Sequence, residues 1–269
     1  MGTRGTQITI AGVLAAGAER ILRDSNPWWC GERQFGLPPI RRWAFEPTHK
    51  GLVRGLAAVT VLRGPRQVGK TTLLNQLIDH LLDDGVAPER IFRVQFDDIP
   101  ALQRLSAPLL DLTAWYADNV LGCSVNAAAQ RHGGPIYLLL EEVRNLADWA
   151  TQVKDLVDLQ PIRAALTGSS ALRIEAGRDS LAGRLSTIEL GPLLLREVGE
   201  LRGLGRLPAY LPSNGLARLK DRRFWEDLRA FGQTHQTFRD AAFGMFSSAA
   251  GIRWPMRGPM PVGTKWPRN

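Results

Sequence analysis

The stretch 57–82, AAVTVLRGPRQVGKTTLLNQLIDHLL, limits the folds open to this chain more than any other part of it. Val59, Thr60, Val61 and Leu62 make a short apolar, β-branched run of the kind that fills a buried parallel strand. Gly64-Pro65-Arg66-Gln67-Val68-Gly69-Lys70-Thr71 follows with the spacing G-x-x-x-x-G-K-[ST]. The two glycines let the backbone curl until successive N–H groups and the next helix N-terminus converge on a phosphate. Leu73, Leu74, Leu77, Ile78, Leu81 and Leu82 then recur at helical spacing, which predicts an amphipathic helix. Strand, loop and helix in this order predict a nucleotide site lined by Gly64, Pro65, Arg66, Gln67, Val68, Gly69, Lys70, Thr71 and Thr72. Lys70 is expected to meet the β- and γ-phosphates as a point charge, and the Thr71 hydroxyl to ligate Mg2+. Thr72 is expected to pack or cap.

A second landmark lies at Gly133-Gly134-Pro135, a turn feeding the apolar run Ile136–Leu140 that ends in Glu141 and Glu142. In phosphate-loop ATPases a strand of this kind delivers one carboxylate to the Mg2+ shell and a second that orients the attacking water. Glu141 is expected in the metal role and Glu142 in the water role. Asp97 and Asp98 close a predicted strand, Ile91–Phe96, and read as solvated turn residues before they read as ligands. A further strand, Pro161–Leu166, ends in Thr167-Gly168-Ser169-Ser170, where Ser169 or Ser170 either senses the γ-phosphate or simply makes a small-residue turn. Arg184 stands between a loop and the β-like run Ser186–Leu190. Its guanidinium suits transition-state charge, in the same subunit or a neighbour, although most loop arginines are only solvated.

At 269 residues the chain is long enough for one α/β domain with appendages. No run approaches the roughly 18 apolar residues of a membrane helix, and Met1–Ala18 makes a poor signal peptide. Cys30 and Cys123 stand far apart without a Cys/His cluster, so neither a disulfide framework nor a zinc site built on them is expected, and a cytoplasmic location is. The net charge is +8, yet Lys/Arg and Asp/Glu balance across residues 1–200, leaving the whole excess in 201–269. The nucleotide core is therefore not a basic protein.

Residues 8–24 have helical character that Asn26-Pro27 stops, and Trp28 and Trp29 read as packing anchors before they read as a partner hot spot. Residues 101–120 look helical. Asn145 is expected to cap a helix whose stripe is Leu146, Trp149, Val153, Leu156 and Val157, and Pro192 to open another through Val198.

Taken together, GPRQVGKTTLL at 64–74, YLLLEEV at 137–143, LADW at 146–149, TGSSA at 167–171, SLAGR at 180–184 and LGPLLLREV at 190–198 resemble the bacterial and archaeal AAA-type ATPases of AAA domain family 14. The similarity spans roughly residues 20–250. It implies a three-layer α/β phosphate-loop fold on a parallel sheet, Mg-ATP as ligand, Glu142 as catalytic carboxylate and Arg184 as arginine finger. The expected parts are an N-terminal extension (1–50), the ATPase core (51–200), the start of an incomplete helical lid (201–250) and an aberrant tail (251–269). Glu141 departs from the family's usual aspartate, which should displace the carboxylate by roughly one bond length, and misplacement of about 1 Å costs catalysis up to roughly 100-fold. Arg144 adds a positive charge where the family often has glutamine or histidine. The tail contains no acidic residue, and permitted codons for residues 251–267 include a second frame of ordinary globular character, so a frameshift or truncation near Ala250 is expected. The function expected is Mg-ATP binding with hydrolysis, a non-enzymatic ATP switch or remnant being one alternative and an ATP-regulated nucleic-acid-binding module another. A homo-oligomer or a protein partner is open on this reading.

Overall fold

Five apolar runs become strands: β1 Val59–Arg63, β2 Ile91–Gln95, β3 Ile136–Glu141, β4 Ile162–Gly168 and β5 Leu185–Glu189. They form one sheet of order β2-β3-β4-β1-β5, every neighbouring pair parallel. Structure is described, in a computed structural model, for residues 16–143, 146–168, 181–211 and 219–249. Two compact units divide the chain, Met1–Pro192 and Leu193–Asn269.

A parallel pair cannot be closed by a hairpin, so the chain must cross over between strands. α1 Ala16–Asp24 and α2 Phe45–Arg54 precede β1, α3 Lys70–Asp83 lies between β1 and β2, α4 Pro108–Tyr116 and α5 Val125–His132 lie between β2 and β3, and α6 Trp149–Leu159 lies between β3 and β4. Strand alternation divides the core by face. Val59, Val61, Phe92, Val94, Leu138, Leu140 and Leu166 pack with residues of α1, α4, α5 and α6, while Leu62, Ile91, Tyr137, Leu139 and Ala165 pack with α2 and α3. The result is the expected three layers.

The residues before the phosphate loop are part of this core. Trp28, Phe45 and Leu52 are fully buried, and the indole N–H groups of Trp28 and Trp29 both donate to the Ile91 carbonyl, at 2.9 and 3.0 Å. Trp29 stacks on Tyr116 with ring centroids 5.8 Å apart. Both tryptophans are packing anchors, as the sequence suggested.

Several boundaries differ from the sequence reading. Phe96 leaves β2 for a short 3-10 turn, and β4 runs on through Thr167 and Gly168. The helix carrying Trp149 starts at that residue and not at Leu146, because Asp148 adopts a left-handed backbone (φ 49°) through which a right-handed helix cannot continue. Asn145 and Arg144 lie outside the described residues, as do residues 8–15 and the tail from Gly251.

In the second unit, α7 Leu195–Leu201 begins later than Pro192, since Leu194 is extended. The Glu197 carboxylate accepts the Leu194 N–H at 2.8 Å and fixes that start. A helical pair follows, α8 Arg222–Thr234 and α9 Gln236–Ala249. Arg222 and Arg223 sit on an exposed face of α8 beside Glu226 and Asp227, 2.8 and 4.0 Å away. No described helix is long and apolar enough to cross a membrane.

Candidate functional site

All of the site's strand-borne groups stand at one edge of the sheet. Arg63 and Gly168 pair at the carboxyl ends of β1 and β4, and Gln95 and Glu141 pair at those of β2 and β3. In open α/β sheets that edge is where ligands bind, and the 64–69 loop leaves β1 there.

Two glycines make the loop possible. A Cβ on Gly64 would come within 2.0 Å of the Leu190 carbonyl oxygen, so no side chain fits between the loop and the segment after β5. Gly69, the N-cap of α3, has φ 90°, a conformation costly for other residues. Lys70 is buried at the first turn of α3, where its Nζ donates to the carbonyls of Gly64 and Pro65 at 2.9 and 2.7 Å, inside the curl of the loop. Thr71 Oγ1 donates to Glu141 Oε2 at 2.5 Å, joining the loop helix to the acidic end of β3. The longer side chain therefore keeps contact with the loop threonine despite its extra methylene.

A cleft over this edge is lined by Arg66, Gln67, Gly69, Lys70, Thr71, Thr72, Gln95, Asp97, Glu141, Glu142 and Thr167. Most of the residues proposed from sequence meet there. Glu142 has a left-handed backbone (φ 55°), uncommon for a non-glycine residue, and its N–H reaches Thr167 Oγ1 at 3.3 Å. Asp97 lines the cleft, whereas Asp98 accepts from the Gln95 amide at 3.0 Å. Ser169 and Ser170 lie outside the described residues, so the hydroxyl placed at the tip of β4 is that of Thr167.

Arg184 is not brought to the cleft of its own chain. It precedes β5 at the amino edge of the sheet, where its backbone carbonyl accepts the Val59 N–H. The length of β1 separates it from the loop, about 16 Å at about 3.3 Å per residue. Its guanidinium pairs with Asp158.

Two site residues were missed from sequence. Arg93, buried in β2, donates through Nε to Glu141 Oε1 at 2.8 Å, with its Nη2 2.6 Å from the same oxygen. Asn26 grips the Arg93 backbone on both sides, accepting its N–H at 2.7 Å and donating to its carbonyl at 2.9 Å. A charge inside the otherwise apolar run Ile91–Val94 was the available signal, because a buried charge demands a partner. Arg42 donates to the carbonyls of Val68, Gly191 and Pro192 at 2.6, 3.0 and 2.9 Å, tying the phosphate loop to the segment after β5. Nothing in its sequence neighbourhood announced this.

A family profile, described as an AAA domain (family 14), matches residues 57–199. The chain belongs to that AAA domain family. A nucleotide-binding function of the ATPase type comes with that membership. An uncharacterized protein of Methanocaldococcus jannaschii is 31% identical to the AAA domain chain over 137 residues, 51% of this chain and 26% of the relative. The chain thus spans about a quarter of the length of the curated relative it matches. Among solved structures, the Walker-type ATPase of Pyrococcus abyssi aligns at 14% identity and TM-score 0.42, over 81% of this chain and 80% of that one. Cdc6p from Pyrobaculum aerophilum aligns at 13% and 0.43 over 62% and 50%. The Aeropyrum pernix ORC2 protein in its ADP form aligns at 16% and 0.42 over 66% and 57%.

Proposed function

We propose that this AAA domain binds Mg-ATP and hydrolyses it to ADP and phosphate, and that turnover drives a conformational change. The contact between Thr71 and Glu141 carries the reading, because it sets a hydroxyl and a carboxylate, the hard oxygen donors that suit Mg2+, beside the phosphate loop. Thr71 and Glu141 would hold Mg2+ there, and the ion would supply positive charge against the phosphates. Lys70 exchanges its loop carbonyls for phosphate oxygens. Glu142 accepts a hydrogen bond from the attacking water and orients it, so that the water oxygen bonds to the γ-phosphorus as the bridging bond to the β-phosphate breaks. Thr167 takes the sensing place that sequence gave to Ser169 or Ser170. Arg184 acts from a neighbouring subunit.

One observation favours a second reading, an ATP-binding switch with negligible turnover. Arg93 already neutralises the carboxylate on which the metal depends. Phosphate release from ATP, measured against Mg2+ concentration alongside nucleotide binding, separates the two. Hydrolysis predicts Mg2+-dependent release abolished by Lys70→Ala and Glu142→Gln, with binding retained in Glu142→Gln. Binding without release in the parent chain selects the switch, and a folded protein that binds no nucleotide overturns both.

A further inference from the structure

Away from the cleft, at the far end of α3, three metal-ligating side chains converge from two helices. His80 and Asp84 are one turn apart at the C-terminus of α3, where the Asp84 N–H still donates to the His80 carbonyl at 2.9 Å. His49 comes from α2 and packs its ring against that of His80, with centroids 4.6 Å apart. One donor atom from each, two imidazole nitrogens and a carboxylate oxygen, lie within 4.8 Å of one another. His49 Nε2 lies 3.7 Å and His80 Nε2 4.0 Å from Asp84 Oδ2.

We infer that His49, His80 and Asp84 form a site for a borderline divalent transition metal of the Zn2+ type, a clip between α2 and the helix that carries the phosphate loop. The spacing supports it. A tetrahedral centre with bonds of about 2.0–2.1 Å holds its donors about 3.4 Å apart, so contraction by roughly 1 Å, within the reach of side-chain rotation, closes the triad. The donor set also fits, since two imidazoles and one carboxylate are a common zinc complement that leaves a fourth position for water.

Independently, His49 Nε2 is buried and has no hydrogen-bond partner among the described residues. A buried polar nitrogen in that condition is costly unless something accepts its lone pair or its proton. Asp84 is also the C-cap of α3, where the helix dipole adds partial negative charge.

Charges facing the site act in both directions. Glu46, one turn before His49, is favourable to a cation. Arg41 is not: its guanidinium stacks over Phe45 at 4.1 Å and comes within 3.5 Å of His80 Nδ1. Removing that charge should therefore tighten the site, an effect that nonspecific metal binding by surface histidines would not show.

The test uses the full chain, stripped with chelator and titrated with Co2+ and then Zn2+, without nucleotide. One equivalent of Co2+ giving visible d–d bands of tetrahedral intensity, displaced by Zn2+, is the expected result. His49→Gln and His80→Asn should each weaken binding at least tenfold, and Arg41→Gln should strengthen it. His132→Asn, on α5 beside Glu89, should change nothing. Zn2+ should also raise the thermal midpoint of the parent and of His132→Asn but not of the two site variants, whose circular dichroism reports whether they fold. Absent d–d bands, or a loss as large in His132→Asn, overturns the site. Because no nucleotide is present, failure here leaves the ATPase reading untouched.

Discussion

Glu141 is nearly inaccessible to solvent, and its two carboxylate oxygens are divided between two kinds of partner. Oε2 accepts from Thr71 and Oε1 from Arg93, whose side chain is itself 9% exposed. Breaking a buried ion pair from one side costs about 3–5 kcal/mol because the other charge remains buried. Arg93→Leu is therefore expected to destabilise the fold by that amount in equilibrium denaturation. Adding Glu141→Gln should recover most of the loss, and a double-mutant cycle with no coupling would show that the two side chains do not act as a pair. At this scale the site was largely legible. Motif spacing picked out Lys70, Thr71, Glu141 and Glu142, which the fold brings to one cleft. Arg93 was hidden because its role depends on which strand lies beside β3, a property of sheet order and not of local sequence.

Among the elements, the phosphate loop is held from outside as well as by its own glycines. Arg42 spans three carbonyls contributed by the loop and by the segment after β5, and its Cδ lies 3.8 Å from where a Cβ on Gly69 would stand. Charge-assisted bonds of this type contribute about 1.5–3 kcal/mol each before solvent screening and shared strain reduce them. Arg42→Met keeps much of the apolar stem and removes the donors. It is expected to lower stability by about 2 kcal/mol and to weaken nucleotide binding roughly tenfold, read by denaturation and by a fluorescent-nucleotide isotherm. Unchanged affinity with lowered stability would confine Arg42 to the fold. Apolar periodicity sufficed to predict α3, β1 and β3, whose runs are long and sharply bounded. The starts of α6 and α7 were misread because each depends on the backbone angle of one residue, Asp148 or Leu194, and a hydrophobic stripe carries no record of such angles.

For the molecule as a whole, parallel pairing could be anticipated from apolar runs separated by helical ones. The insertion of β4 between β1 and β3 could not, and that order decides what Arg184 can do. β5 runs parallel to β1, so its start lies at the edge opposite the phosphate loop, and the length of β1 separates Arg184 from the cleft of its own chain. A role in catalysis requires a second copy whose cleft faces this arginine, with the Asp158 pair broken or shared on assembly. Arginine fingers accelerate phosphoryl transfer on the order of 1,000-fold or more. Arg184→Ala should then nearly abolish turnover while sparing nucleotide binding, and turnover per chain in the parent should rise with protein concentration. Mixing decides the matter. Lys70→Ala retains the arginine and lacks a working loop, whereas Arg184→Ala retains the loop and lacks the arginine. If the finger acts between chains, the two inactive variants together regain activity, because some assemblies set an intact loop against an intact arginine. A mixture no more active than its components, at concentrations where sedimentation detects assemblies, would leave Arg184 as a structural partner of Asp158. Its loss should then be read in the melting temperature instead of the rate.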